Sequence, residues 1–238
     1  MINFRPLCEK KIIEPRETSI YRSGELVHLT HSEINNIVED LGISYYIDLR
    51  SEAELTKRGR PLTLIKAGVH WQSFPIQDED HYFRTKPFPN FYDYFDSYIG
   101  LLQNNEQQLK KIFIFLSENY DARCVIGCFA GKDRTGLVAI LFMMLLGFTT
   151  EDIIHDYVES GRYLTQNIDY FEESWIKKGW TKEHYIHRLT PNSKTALLVI
   201  EYITEKYGNI DGYLENLGMQ PKDCLDMLTY FRNKYRFS

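Results

Sequence analysis

Apolar residues follow a helical spacing in the first part of the chain and then an extended one. Residues 30–33 (THSE) form a capping box, and the apolar residues that follow share one helical face up to Gly42, which predicts a helix over 31–41. Residues 44–49 (SYYIDL) and 69–76 are rich in β-branched and aromatic residues, which predicts two strands. This alternation is typical of an α/β fold.

The second half of the chain is mostly helical. Residues 123–127 predict one more strand, and residues 135–147 are apolar on nearly every face, which predicts a central, buried helix. The other predicted helices cover about 91–102, 107–119, 149–160, 167–178, 192–207 and 221–235. The sequence contains neither an internal repeat nor a Gly/Ser linker, so we predict a single domain over residues 1–238 with a helical C-terminal part.

Two segments have looser patterns. Residues 77–89 combine charged residues, aromatic residues and prolines, which predicts a loop of a length that often carries function. Residues 161–190 are rich in aromatic residues, and two interpretations remain open. We favour aromatic packing onto the core, and the alternative is a helical lid or a lipid-facing flap.

Composition excludes several classes of protein. The net charge is −5, with 28 basic against 33 acidic residues, so nothing points to nucleic-acid binding. The longest apolar run, residues 137–148, is too short for a membrane span, which needs roughly 20 residues. Residues 1–11 lack the apolar stretch of a signal peptide, and the four cysteines form no CxxC pair. We therefore predict a reduced, cytoplasmic protein.

Residues 125–136, VIGCFAGKDRTG, carry the clearest chemical signal. A nucleotide-binding P-loop requires four residues between its glycines and a hydroxyl after the lysine. Here three residues separate Gly127 from Gly131, and Asp133 follows Lys132, so the P-loop interpretation fails. The remaining alternatives are a reactive thiol at Cys128 and a cysteine that lies in a turn by coincidence, and the full pattern favours the thiol.

The spacing Cys-x5-Arg suits a loop that curls around an anion. Backbone amides of the loop and the positive end of the next helix would form a site for phosphate and favour the thiolate of Cys128. Arg134 provides a planar fork for two phosphate oxygens, and the hydroxyl of Thr135 can donate to the sulfur as the thiolate leaves. The predicted phosphate-binding residues are Phe129, Ala130, Gly131, Lys132, Asp133 and Arg134.

The segment CFAGKDRTG resembles the signature of the cysteine-dependent tyrosine and dual-specificity phosphatases. It is most similar to a bacterial branch with the loop HCxxGKDRTG, which includes protein-tyrosine and phosphoinositide phosphatases. Further elements of this branch match residues elsewhere in the chain, and Gly127 departs from it by replacing the usual histidine. The matching elements are NFR at 3–5, RSGEL at 22–26, DLRSEAE at 48–54, DY at 156–157, and the late YG, YL and LG pairs at 207–208, 213–214 and 217–218.

The resemblance implies a central, mostly parallel sheet flanked by helices, and a phosphocysteine intermediate on Cys128. It implies no metal and no other cofactor. Implied substrates are a phosphorylated protein, carrying phosphotyrosine and also phosphoserine or phosphothreonine, or a phospholipid such as a phosphoinositide. Competing hypotheses are a phosphate-binding module with little turnover and another thiol enzyme, such as a sulfurtransferase or an arsenate reductase.

The general acid has two candidates. Asp133 lies inside the loop, and the resemblance implies that it acts as acid and base. Asp78 lies in the charged loop about 50 residues before the cysteine, where many phosphatases carry a mobile acid. We favour Asp133. For Asp48 and Arg50, at the end of a predicted strand, we favour a structural ion pair over a role in the reaction.

Overall fold

The computed structural model describes residues 1–12, 19–77 and 88–235. Within them, five strands form one sheet in the order β1-β2-β5-β3-β4, in which β1 pairs antiparallel and the other pairs are parallel. The strands are β1 Arg5–Pro6, β2 Ile20–Ser23, β3 Tyr45–Asp48, β4 His70–Ser73 and β5 Cys124–Gly127. The predicted α/β fold with a mostly parallel sheet is confirmed.

Helices cover both faces of this sheet and form the C-terminal part. The first helix, α1 His31–Asn35, continues as a π-helical turn over Asn36–Asp40. The others are α2 Glu52–Arg58, α3 Leu62–Lys66, α4 Phe91–Asn104, α5 Glu106–Glu118, α6 Asp133–Leu146, α7 Thr150–Gln166, α8 Glu172–Lys177, α9 Lys182–Leu189, α10 Ser193–Tyr207, α11 Ile210–Asn216 and α12 Leu225–Arg232. Short 3-10 turns cover Glu9–Lys11, Ile168–Phe171 and Pro221–Cys224. No helix in the described ranges combines the length and apolarity that a bilayer crossing requires.

Strand β5 lies at the centre of the sheet and sets the position of the CFAGKDRTG segment. Its last residue, Gly127, pairs with Ser23 of β2 on one side and with Asp48 of β3 on the other. Three parallel strands therefore end at the same edge. In open α/β sheets, ligands bind in the crevice beyond this edge.

Helix α6 forms the centre of the hydrophobic core, as the apolar run predicts. Twelve of its fourteen residues are buried, and it ends at Gly147, whose φ is +83°. Residues from α4, α5, α10 and α12 pack with it in one large cluster. Because the helix is enclosed on all sides, its N-terminus is fixed relative to the end of β5.

Several elements differ from the predicted ones. The predicted helix over 167–178 is a 3-10 turn followed by the short α8, and the predicted helix over 221–235 also begins with a 3-10 turn. Strands β1 and β2 and helices α2, α3, α9 and α11 escaped prediction. Helix α2 (EAELTKR) buries only Leu55, so it lacks the apolar periodicity by which a helix is recognised.

Three of the six aromatic residues of 161–190 are buried, whereas Tyr163 and Trp180 are half-buried and Tyr170 is exposed. Phe171, Trp175 and Tyr185 form a cluster with Leu164 and Leu189, as the packing interpretation predicts. The ring of Phe171 meets that of Phe129 edge to face, with centroids 5.5 Å apart. This segment therefore packs directly on the loop that follows β5. A lid motion of the segment stays a prediction.

Candidate active site

The loop after β5 makes a tight turn beneath the end of β2. At its centre Gly131 has a φ of +68°, and a Cβ atom there would lie 2.3 Å from the carbonyl oxygen of Ser23. No real side chain tolerates such a contact, and a positive φ is itself unfavourable for other residues. A glycine is therefore required at this position.

Hydrogen bonds from outside the loop orient its peptide groups. The carbonyl oxygen of Phe129 accepts a bond from the backbone amide of Glu25, 3.1 Å long. The carbonyl oxygens of Ala130 and Gly131 accept bonds from Asn3 Nδ2, 3.2 and 2.8 Å long. In a trans peptide the N–H points opposite to the preceding carbonyl. The amides of residues 130–132 therefore point into the loop, where they can bind an anion.

A buried network beneath the loop holds these outer contacts in place. Arg22 Nη2 donates to the carbonyl oxygen of Gly131 over 2.8 Å, and its Nη1 bonds Asp156. Arg5 bonds Asn3 and donates to the backbone carbonyl oxygen of Asp156 over 2.8 Å. Burial opposes the ionisation of Asp156, but Arg22 and Arg5 outweigh it and lower the pKa of that carboxyl. The early NFR and RSGEL elements thus support the loop from a distance of more than 100 residues in sequence.

Cys128 is the first residue of the loop and lies at the floor of a cavity of about 490 Å³. The residue is 3% exposed, so a ligand reaches its thiol only through this cavity. Phe129, Ala130, Lys132, Asp133 and Arg134 line the same cavity, as does Glu54. The structure therefore brings most of the predicted loop residues together around one space, while Gly131 and Thr135 lie outside the lining.

Arg134 is fixed by Glu54, a residue 80 positions earlier. Its Nη1 and Nη2 donate to the two carboxylate oxygens of Glu54 over 2.5 and 2.6 Å. Glu54 also caps α2, where its carboxylate accepts a bond from the backbone amide of Ser51 over 2.8 Å. Burial opposes ionisation of Glu54, but the bonds from Arg134 and Ser51 outweigh it and lower its pKa to about 2. Glu54 therefore stays ionised and holds the guanidinium plane in place.

Lys132 is directed to one side of the cavity. Its ammonium group donates to the carbonyl oxygen of Arg188 over 2.6 Å and lies 4.5 Å from the ring centroid of Tyr94. Burial, as the largest effect, lowers the pKa of this lysine. Its positive charge lies beside the cavity, although the side chain is tied to the end of α9.

Asp133 and Thr135 begin helix α6. The Asp133 side chain is 33% exposed, and one of its oxygens lies 3.4 Å from Lys132 Nζ. Thr135 is buried, and its hydroxyl has no hydrogen-bond partner within the described ranges. Asp133 and Thr135 follow Cys128 by five and seven positions in the chain, whereas Asp78 falls outside the described residues.

Asp48 and Arg50 form a buried ion pair beside the cavity, in agreement with the structural interpretation. Arg50 Nη2 lies 2.7 Å from Asp48 Oδ2, and Arg50 Nη1 lies 3.0 Å from Glu25 Oε2. Glu25 in turn binds Arg58, whose guanidinium lies 4.4 Å from the ring centroid of Phe129. This chain of contacts ties the ends of β2 and β3 to the loop.

Sequence reasoning assigned no role to four residues that shape the loop: Asn3, Arg22, Glu25 and Glu54. Each lies within a motif that the resemblance covers, so that motif match was the available signal. Their contacts join residues that are far apart in the chain, and spacing along the sequence does not reveal them.

The rim of the cavity is basic. Lys57, Arg58, Lys177, Lys178 and Arg188 line it, and they come from α2, α8, the turn after α8, and α9. The acidic residues in the lining are Glu54, which binds Arg134, and Asp133. In a chain with a net charge of −5, this local excess of positive charge favours an anionic ligand.

Comparison with known proteins gives a consistent result. The model of the tyrosine phosphatase family matches residues 1–232. A tyrosine-protein phosphatase of Nostoc commune is 25% identical over 228 residues, which cover 92% of this chain and 75% of that protein.

Two solved structures have weaker similarity. The core catalytic domain of the PP-IP phosphatase SIW14 from S. cerevisiae, in complex with citrate, has a TM-score of 0.43 and 16% identity, and the match covers 66% of this chain and 75% of that one. TpbA of P. aeruginosa has a TM-score of 0.33 and 13% identity, with coverage of 77% and 86%.

Proposed function

Because this chain belongs to the tyrosine phosphatase family, we propose that it hydrolyses phosphate monoesters through a phosphocysteine intermediate on Cys128. One observation carries the proposal: Cys128 lies at the floor of the cavity while successive loop carbonyls are bonded on the outside. The amides that remain can bind three phosphate oxygens above the sulfur. Arg134, held by Glu54, adds a planar cation to the same space.

In the first step, the Cys128 thiolate attacks phosphorus and the bond to the leaving oxygen breaks. Asp133 gives its proton to that oxygen, so the leaving group departs as a neutral alcohol or phenol. Loop amides and Arg134 stabilise the negative charge on the transferred phosphoryl group. The products of this step are the alcohol and the phosphocysteine.

In the second step, water attacks the phosphocysteine and the bond from sulfur to phosphorus breaks. Asp133, now ionised, takes a proton from that water, and inorganic phosphate forms. The buried hydroxyl of Thr135 donates to the sulfur as it regains its negative charge. A reducing, cytoplasmic compartment suits this cycle, because all four cysteines are free thiols and Cys128 must remain one.

The competing hypotheses are a phosphate-binding module with little turnover and a thiol enzyme of another class, such as a sulfurtransferase. A binding module has no need of a carboxyl group inside its anion site, and Asp133 opposes anion binding unless it carries a proton. The position of Asp133 in the cavity lining therefore favours an enzyme that hydrolyses its substrate over a module that only binds phosphate. Release of phosphate from para-nitrophenyl phosphate tests this choice directly.

The basic rim supports a substrate with negative charge beyond the reacting phosphate. Phosphoinositides and acidic phosphopeptides, including those with phosphotyrosine, both fit this description. Lys177 and Lys178 are exposed, so their attraction for an anion is weakened by salt. Their contribution is thus expected mainly in substrate binding.

The first prediction concerns this rim. In the double variant Lys177→Ala/Lys178→Ala, KM for a multiply phosphorylated phosphoinositide is expected to rise about tenfold, since two attractive charges are lost. The rise for para-nitrophenyl phosphate is expected to be much smaller. Steady-state kinetics at low and high salt measure both. Lys111→Ala, on α5 and away from the cavity lining, is the control. Equal effects on the two substrates contradict a role of the rim in selectivity.

The second prediction concerns the acid. A phenolate leaves slowly unless it is protonated, whereas a nitrophenolate leaves without help. The Asp133→Asn variant is therefore expected to lose activity on phenyl phosphate at least about tenfold more than on para-nitrophenyl phosphate. Comparison of kcat/KM for the two substrates measures this, and Asp78→Asn serves as the matched variant.

If Asp78→Asn shows the leaving-group effect and Asp133→Asn does not, the acid lies in the loop that contains residue 78. Phosphate affinity of the Asp133→Asn variant is the control for loop shape. A large loss of affinity would assign Asp133 a structural role instead.

A further inference from the structure

The residue before the nucleophile is a glycine because the space beside it is already filled. A Cβ atom added to Gly127 would lie 2.9 Å from the carbonyl oxygen of Gly24, and 3.0 and 3.1 Å from Cε2 and the hydroxyl oxygen of Tyr46. The first contact is with a backbone carbonyl oxygen, which cannot move away by a change of side-chain rotamer. The side chain that related loops carry at this position therefore has no room here, and the ring of Tyr46 occupies the place next to it.

Tyr46 reaches this place from the neighbouring strand. It lies on β3, two residues before Asp48, which is paired with Gly127. Alternate residues of a strand share one face of the sheet, so the side chains of Tyr46 and Asp48 lie on the same face. The ring of Tyr46 contacts Gly127 on that face. The tyrosine is fully buried, and its hydroxyl has no hydrogen-bond partner among the residues described.

A buried hydroxyl without a partner is rare in folded proteins, because burial removes its bonds to water without replacing them. Other side chains of the core could have filled the same space without this cost. Phenylalanine has the same ring and lacks the hydroxyl. What sets the hydroxyl of Tyr46 apart is its place beside Gly127, at the end of β5 and next to the nucleophile, where a partner can form during the reaction.

Among the ionisable groups that act electrostatically on Tyr46, the thiol of Cys128 lies outside the ion pairs of Arg50, which makes it the candidate partner. Asp48, Arg50, Glu25 and Cys128 are the groups that act on it electrostatically. Asp48 and Glu25 are bound to Arg50, and Asp48 also accepts a bond from the indole of Trp71 over 3.2 Å. Burial and then Asp48 raise the pKa of Tyr46 well above its usual value, so the phenol keeps its proton and remains a donor.

We propose that Tyr46 supplies from β3 the hydrogen bond that stabilises the Cys128 thiolate, in place of a side chain at position 127. The inference rests on the proposed function, in which Cys128 reacts as a thiolate. The phenol donates to the sulfur when Cys128 is ionised, and it loses this partner when the sulfur is bonded to phosphorus. Lys132 and Arg134 add positive charge around the same sulfur from the loop and from α6.

The test is the Tyr46→Phe variant, which keeps the ring and removes the hydroxyl. The rate of Cys128 alkylation by iodoacetamide is followed across pH, with the Cys128→Ser protein as the blank for the other thiols. The pH midpoint is expected to rise by about one unit, which corresponds to about tenfold less thiolate on the acidic side. The kcat/KM for para-nitrophenyl phosphate is expected to fall on the same side.

Tyr213→Phe is the matched control. Tyr213 is also buried with an unpartnered hydroxyl, but it lies on α11 and outside the cavity lining. Its substitution is expected to leave the midpoint unchanged.

An unchanged midpoint in the Tyr46→Phe variant would overturn the proposal, and so would an equal shift in both variants. A marked loss of thermal stability with an unchanged midpoint would assign the hydroxyl a structural role and would overturn it too. Because alkylation requires no turnover, the alkylation results can be distinguished from a failure of the proposed function. That failure would appear as turnover in the Cys128→Ser protein.

Discussion

The Cys128→Ser variant is expected to lose turnover entirely and to keep its affinity for phosphate and vanadate. A serine hydroxyl in this place is not ionised near neutral pH, so it cannot replace the thiolate as a nucleophile. The loop amides and Arg134 bind the anion, and none of these groups changes. Turnover of para-nitrophenyl phosphate and the binding of vanadate, followed by calorimetry, measure the two properties separately.

The control is Cys224→Ser. Cys224 is also a buried free thiol, but it lies just before α12, outside the cavity lining. This variant is expected to retain turnover, although its stability can decrease because a polar group is buried. Substantial residual turnover in the Cys128→Ser protein would rule out a thiolate nucleophile. Loss of both turnover and vanadate binding would indicate a collapsed loop.

The Arg134→Lys variant is expected to lose at least about a hundredfold in kcat/KM, equivalent to about 2.7 kcal/mol of transition-state stabilisation. Lysine keeps the charge but not the planar fork that binds two oxygens at once. It also loses the paired bonds to Glu54 that orient the arginine. The loss is expected mainly in kcat, because the charge that binds the ground state is retained.

Arg232→Lys, an exposed position at the end of α12, is the matched control and is expected to have no effect on activity. A decrease of less than threefold in the Arg134→Lys variant would count against an arginine clamp. In that case the loop amides alone would hold the phosphoryl group.

The loop could be predicted from sequence because its determinants are local. Cys128, Gly131 and Arg134 lie within seven consecutive residues, and the strand before them and the apolar helix after them follow simple patterns. The turn at Gly131 requires a glycine for reasons that apply to any chain. The fold class followed from the same alternation of strands and helices.

The supports of the loop could not be predicted from spacing. Asn3, Arg22 and Glu54 reach it from 80 to 128 positions away in the chain. Each is a polar residue whose place beside the loop becomes evident only when the sheet is assembled. Tyr46 could not be predicted for a similar reason. A tyrosine in a predicted strand is interpreted as a core residue, and its contact with Gly127 depends on the register of β3 and β5.

The predicted helix boundaries in the segment 161–190 are wrong for a related reason. The segment 161–190 contains α8, α9 and a 3-10 turn, which are short and are held by aromatic packing rather than by a regular apolar face. Helix propensity and periodicity carry little information for elements of six to eight residues. The ring contact between Phe171 and Phe129 joins this segment to the loop after β5.

The central claim is that phosphate passes through Cys128, and a rapid-quench experiment on the wild-type protein tests it most directly. Because nitrophenolate is a good leaving group, the first step with para-nitrophenyl phosphate is expected to be faster than the second, so that the intermediate accumulates before water removes it. The reaction is quenched in denaturant within the first turnover and the protein is digested. The masses of the resulting peptides are then measured by mass spectrometry. We predict one phosphoryl group on the peptide that contains Cys128, which disappears once the substrate is consumed. Steady turnover with this peptide unmodified, or with the phosphoryl group on another residue, would contradict the account.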